Sequence, residues 1–212
     1  MQRGQQAGIL LGPEGQVVTA DAGVLWRFDE RPERWQVVLA PDFVALSTPR
    51  YTRRREFLDR FSVVLSAVQA ELRIRFCDRL GVRYVDRVTD AELLSRLRDL
   101  LKPEILGAVA VDPGETGVEL LHGFVDSTYR LPESAELHSR WGVLPPAVTF
   151  DPAIQATDTR SWVLDLDAYT TEQLAFDPRT LAERAETLSK RIYRFFRWAV
   201  EDEFLIAHGG RP

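Results

Sequence analysis

Arg79-Leu-Gly-Val-Arg-Tyr-Val-Asp-Arg-Val88 is rich in β-branched and aromatic residues and has no helical period. It reads as a β-strand. Side chains alternate faces along a strand. Val82, Tyr84 and Val88 therefore share one face, and Arg79, Arg83 and Arg87 share the other, with Gly81 and Val85 between them. An apolar face backed by three guanidinium groups predicts a sheet with one buried and one charged side. Asp86 is the odd member. Alternation puts its carboxylate on the apolar face, where it needs a partner or a bend in the strand.

Upstream, residues 8–11 and 16–19 flank Pro13-Glu-Gly15 and predict a hairpin. Val24, Trp26 and Phe28 alternate, as do Trp35, Val37 and Leu39, and the chain then turns at Ala40-Pro-Asp42 into residues 43–47. Short connections between such runs predict an antiparallel meander. From residue 52 the period becomes 3.6, and Phe57, Phe61, Val64, Leu65, Val68 and Leu72 fall on one stripe. The pattern predicts a long amphipathic helix ending near Phe76, with Cys77 at its end as a buried, inert thiol.

Downstream, Thr89-Asp-Ala-Glu92 has the form of a capping box before a leucine-rich helix. Residues 118–130, 137–144 and 161–169 read as three more strands, and 145–160 mostly as loop. Asp177-Pro178 is a strong helix start. That helix is expected to run to about Ala207 and to stop at Gly209-Gly210, with Leu181, Leu188, Ile192, Phe195, Phe196 and Ala199 as its core stripe. Phe61 and Phe195 are expected to be deeply buried. The predicted class is α+β: an antiparallel sheet built from meanders, with two long amphipathic helices packed on it. A single domain over residues 1–212 is the favoured organisation. A pseudo-repeat of halves 1–107 and 108–212, each a meander followed by a helix, is the alternative.

Composition bounds the function classes. The chain has 212 residues, 45% of them hydrophobic, and a net charge of −5. Its apolar runs fall short of the roughly 20 residues of a membrane helix, and the run at residues 7–11 is too short for a secretory signal core. A cytoplasmic protein without a membrane partner is expected. One cysteine and three histidines point to no disulfide framework and no metal site, and no cofactor is expected. Ten arginines face five acids between Arg50 and Arg87, so the rest of the chain carries −10. Long-range repulsion from that remainder argues against sequence-independent DNA binding.

The common phosphate-loop, dinucleotide, nucleophile-elbow and zinc-protease signatures are absent from the sequence, so no catalytic residue is assigned. Three constellations stand out. Arg79, Arg83 and Arg87 form a candidate anion site, because planar guanidiniums suit phosphate or carboxylate. The favoured reading pairs them internally with Asp165 and Asp167, which share one strand face opposite Trp162, Leu164 and Leu166. His122 and His138 with those aspartates could do acid–base chemistry only if they converged; His122 reads as a core histidine. The third is Lys190-Arg-Ile-Tyr-Arg-Phe-Phe-Arg-Trp198, where Arg197 and Trp198 leave the core stripe and form a candidate partner surface.

Several of these stretches also resemble one family. Arg79-Leu-Gly-Val-Arg-Tyr-Val-Asp-Arg87, Trp35-Gln-Val-Val-Leu-Ala-Pro-Asp-Phe-Val-Ala-Leu-Ser-Thr48 and Tyr51 resemble a sporadically distributed bacterial family of unknown function. So do Arg140-Trp-Gly-Val-Leu-Pro145, Trp162-Val-Leu-Asp-Leu-Asp167 and Phe196-Arg-Trp-Ala-Val200. The resemblance runs from about Trp26 to Gly210 and brings no activity with it. The sporadic distribution it implies suits a mobile or defence-associated locus. The expected function is therefore a non-enzymatic, macromolecule-binding or regulatory module whose partner is another protein or a second copy. The alternative is an enzyme or binding protein for a phosphate-bearing small molecule, using the arginine row with aspartate or histidine groups.

Overall fold

The computed structural model describes residues 2–5, 8–11, 17–20, 24–30, 35–111, 114–151 and 154–210. The turn expected at Pro13-Glu-Gly15 lies outside them, as do residues 31–34 of a turn expected at 29–34, whose first two residues instead end a strand, and residues 112–113 of a turn expected at 112–115, which continues as a short 3-10 turn at Gly114–Thr116. The chain divides into two units, Met1–Glu71 and Leu72–Pro212.

The first unit holds strands Gln2–Gln5 (β1), Gly8–Leu11 (β2), Val17–Ala20 (β3), Val24–Glu30 (β4), Trp35–Leu39 (β5) and Val44–Ser47 (β6), then helix Arg54–Leu72 (α1). β4, β5 and β6 form the antiparallel meander, β1 adds to the far side of β4, and β2 pairs with β3 as a hairpin. On α1, Leu65 and Val68 are buried. Phe57 meets the buried Trp35 ring at 5.6 Å, and the Arg60 guanidinium lies 4.7 Å over that ring while binding Glu30 at 2.6 Å.

Phe61 is only half-buried and Leu72 is exposed, which corrects the expectation of a fully covered stripe. A 19-residue helix runs about 28 Å, whereas a five-residue strand runs only about 17 Å. The short strands reach just part of the stripe. The helix also stops at Leu72, four residues before the expected end. Arg73 takes a left-handed conformation, φ 51°, and Phe76–Cys77 becomes a short strand (β7).

The second unit continues with Gly81–Val88 (β8), helices Ala91–Ser95 (α2), Leu97–Leu100 (α3) and Pro103–Leu106 (α4), strands Gly123–Leu131 (β9), Ala135–Leu144 (β10), Ser161–Thr170 (β11) and Leu174–Ala175 (β12), and helices Pro178–Ala199 (α5) and Asp202–Ala207 (α6). Its sheet has the order β8-β11-β10-β9, all antiparallel. β9, β10 and β11 are a meander; β8 joins outside β11. β8 is thus paired with strands drawn from beyond residue 107. β7 pairs with β12.

The faces of this sheet follow the alternation. Val88, Trp162, Leu164, Leu166, Ala168, Leu137, Trp141 and Val143 are all buried. α5 packs across β11 and β8 with Leu181, Ala185, Leu188 and Ile192 buried, and the Tyr84 hydroxyl lies 2.9 Å from that of Ser189. Leu97, Leu100, Leu101 and Ile105 add a second apolar layer. Each such side chain contributes about 2 kcal/mol of gross burial energy, much of it offset by ordering entropy.

Several boundaries differ from expectation. Asp90, not Thr89, caps α2: its Oδ1 accepts from the Leu93 amide at 3.0 Å. The last long helix breaks at Val200, which turns extended and bridges to Leu101. Lys102 N–H donates to Ala199 O and Glu201 N–H to Leu100 O, so this strand-like exchange replaces a helical turn. Phe195 is half-buried rather than deep, because the α5 core line runs through Ala185 and Ser189 instead. His122 is exposed ahead of β9, not in the core. Cys77 is part-buried in β7, and burial raises its thiol pKa.

One glycine is required by a close approach. A Cβ on Gly142, where φ is +156°, would stand 2.0 Å from the carbonyl oxygen of Gly123. Only a glycine lets β9 and β10 pair there. We expect Gly142→Ala to lower stability by at least ~2 kcal/mol in urea denaturation. An unchanged midpoint would mean that β9 sits farther from β10 than described.

Candidate functional site

The open face of the second sheet gathers the charges. Its outward positions are Arg79, Arg83, Val85 and Arg87 around β8, Val163, Asp165, Asp167 and Tyr169 on β11, Glu136, His138 and Arg140 on β10, and Phe124 and Asp126 on β9. Asp165 is the most buried of the charged groups, 1% exposed. Arg83 grips it with two bonds, Nε to Oδ1 at 2.7 Å and Nη2 to Oδ2 at 2.9 Å. Arg140, its register partner, adds Nε and Nη2 on Oδ2 at 3.0 and 2.6 Å. Asp151, from the loop after β10, accepts from both Arg83 and Arg140 at 2.8 and 2.9 Å. Two guanidiniums and two carboxylates therefore close into a neutral ring. Burial alone would lower the Arg83 pKa, but Asp165 and Asp151 more than reverse that, so it is raised.

The loop is also held by stacking. Phe150 lies against Phe124 at 4.4 Å and under the Arg140 guanidinium at 4.5 Å. Arg79 binds Asp167 at 2.7 Å and lies 4.3 Å over the Tyr169 ring. Gly81 gives that pair its room, because a Cβ there would come within 2.9 Å of the Arg79 guanidinium. His138 meets Asp126 at 2.6 Å.

Register explains which arginine is left over. Arg83 stands opposite Asp167, and Val85 opposite Asp165. Arg83 leans one pair along the strand to reach Asp165, and Arg79, ahead of β8, reaches past Tyr169 to Asp167. Arg87 stands opposite Val163, so no strand carboxylate is there to receive it. Its Nη1 donates to Gln155 O instead, and Nε and Nη2 are buried without a partner among the described residues. Burial lowers its pKa.

Asp86 sits on the apolar face, as alternation requires, beside a cavity of about 240 Å³ that Arg87 and His208 also line. Burial pushes its pKa up to about 6, against a downward pull from His208. At the other sheet edge, Trp198 is 47% and Tyr129 43% exposed. Phe195 lies between them, 5.8 Å from Tyr129 and 5.2 Å from Trp198. Arg197, the other partner-surface candidate, instead bonds Asp202 at 3.0 Å.

Sequence reading named five members of the charged face: Arg79, Arg83, Arg87, Asp165 and Asp167. It missed Arg140, although Arg140 shares parity with His138 and faces Asp165 once the strands are aligned. Asp151 had no signal, because loop positions have no period. Tyr129 went unnoticed because it sits on the apolar side of an edge strand. His122 does not join His138 and Asp165. Among the described residues no group of three or more His, Cys, Asp or Glu is placed to hold a metal, and no helix is long and apolar enough to cross a membrane. No family model, curated protein or solved structure matches the chain.

The ring ranks its members. Asp165→Ala leaves two largely buried guanidiniums short of a counter-charge, whereas Arg83→Ala leaves Asp165 still held by Arg140. We expect Asp165→Ala to cost about 3–5 kcal/mol and Arg83→Ala less, in chemical denaturation. Equal losses would remove Asp165 from the centre of the ring.

Asp86 gives a pH-dependent expectation of opposite sign. Its folded pKa of about 6 lies above the ordinary 3.8, so the folded state holds this proton more tightly than the unfolded chain. The penalty for ionising it is absent below about pH 4, grows through the interval, and is complete above about pH 6. Asp86→Asn should be near neutral at about pH 4 and stabilising by up to ~3 kcal/mol at about pH 8. The same stability difference at both pH values would show that Asp86 is not a strained carboxylate.

Proposed function

We propose that this protein is a non-enzymatic binding module for another protein, docked through the aromatic run Tyr129, Phe195 and Trp198. The observation that carries this reading is that run itself: two large aromatic side chains stand nearly half exposed, joined through a third. Tyrosine and tryptophan at a surface bring large apolar area at low entropy cost and dominate interface energetics. The arginine row argues against the phosphate-ligand alternative. Arg79 and Arg83 already hold carboxylates, and a phosphate would have to displace them.

The test is affinity capture with the full chain from its native cell extract, followed by titration of the purified partner against wild type, Trp198→Ala and Tyr129→Ala. We expect Trp198→Ala to weaken binding at least tenfold, about 1.4 kcal/mol, with a melting temperature close to wild type. Equal affinity in all three proteins, or a phosphate compound that stabilises the wild type but not Arg83→Gln, would refute the reading.

A further inference from the structure

We propose that two copies of this chain join through the outer edges of β9, antiparallel and centred on Thr128, so that their two sheets continue as one. β9 is the last strand of its sheet, and among the described residues no strand pairs with its far side. It is nine residues long, against a usual strand length of about 5–6. Edge strands are ordinarily blunted by bulges, proline or lysine, because their unpaired backbone recruits other strands. Residues 123–131 contain neither proline nor lysine. They pair with β10 in unbroken register, so no bulge turns this edge away.

The pairing with β10 fixes which backbone groups face outward. The Ser127 carbonyl oxygen accepts from the Ser139 hydroxyl at 3.4 Å, and the Gly123 carbonyl oxygen stands 2.0 Å from where a Cβ on Gly142 would be. Both carbonyls therefore point toward β10. Alternation turns the N–H and C=O groups of Phe124, Asp126, Thr128 and Arg130 the other way, into the open edge. A second strand must bond to these groups. Two β9 strands related by a two-fold axis must then match outward residues with outward residues.

Charge selects among the registers that remain. Centring on Thr128 sets Asp126 against Arg130 of the partner subunit, and the reverse pair follows by symmetry. Centring on Asp126 would set two carboxylates together, and centring on Ser127 would set Arg130 against a phenylalanine. Opposite charges across an antiparallel pair stabilise it and like charges oppose it. Both groups are exposed. Arg130 makes no ion pair among the described residues, and Asp126 meets His138 through Oδ1, which leaves Oδ2 for a guanidinium. Pro132, without an N–H, would meet Phe124 and end the pairing there. Any strand could bond the backbone, but only one with an acid and a base four places apart answers both charges, and β9 is itself such a strand. The contact goes beyond the aromatic docking surface: Asp126, Thr128 and Arg130 lie on the open face and Tyr129 on the helix-covered one.

The experiment is sedimentation velocity of the full chain from about 1 to 200 µM, with melting temperature as the check on folding. Asp126→Lys, Arg130→Glu, the two combined, Thr128→Pro and Trp198→Ala are measured alongside. We expect a concentration-dependent dimer. Asp126→Lys and Arg130→Glu each set like charges together and should weaken it tenfold or more. The double variant restores opposite charges and should return most of the lost affinity. Thr128→Pro removes a central outward N–H, a change that an edge strand tolerates, and should dissociate the dimer. Trp198→Ala should leave it intact. A monomer across the whole range overturns the proposal, even if Tyr129 and Trp198 are found to bind another protein. So does a dimer that Trp198→Ala dissociates and the edge variants do not, or a double variant no tighter than its single parents.

Discussion

Asp165 is the constraint around which the second unit is arranged. A carboxylate with 1% exposure cannot remain charged without counter-charges, because the desolvation of an isolated ion exceeds what the fold can supply. Here two guanidinium forks meet it, and Asp151 restores neutrality to the ring. Such a cluster adds little net stability over a well-packed apolar one, but it fixes register. A one-residue slip of β8 or β11 would move the charges to the helix-covered face and Trp162 and Leu164 to the open one. The same ring draws the loop after β10 across the sheet, since Asp151 binds the arginines while the neighbouring Phe150 covers Arg140.

Once the centre of the charged face is neutral, what remains reactive lies at the sheet edges. β8 and β9 are the two outer strands, and they differ in what they offer. β9 brings Tyr129 to an aromatic run with Phe195 and Trp198, a large-area, low-polarity surface suited to a protein partner. β8 brings Asp86 and Arg87, adjacent residues whose side chains leave on opposite faces yet line one cavity.

The faces of β8, β11 and α5 were legible in the sequence because burial imposes period 2 on strands and 3.6 on helices. That alone placed Arg83 and Asp165 on one side and Trp162 on the other. Lengths and ends were less legible. The Val200 break in the last helix comes from exchange with Leu100, Leu101 and Lys102, about one hundred residues earlier, and no local signal encodes it. Phe61 and Phe195 have the right period but only partial cover, since period says which face turns inward and not how far the opposing layer extends. Arg140 became visible only with strand register, and Asp151 only with the loop in place.

Asp86 and Arg87 break the rules that the rest of the chain obeys. The ring shows that this fold can supply a carboxylate to an arginine where one is needed, even recruiting Asp151 from a loop. At Arg87 the opposing position is Val163, and at Asp86 the neighbouring position on β11 is Leu164, so both charges are left without partners on that strand. A neutral side chain at position 86 would relieve the strain at once. Local violations of this kind persist in natural proteins mainly where something other than stability holds them.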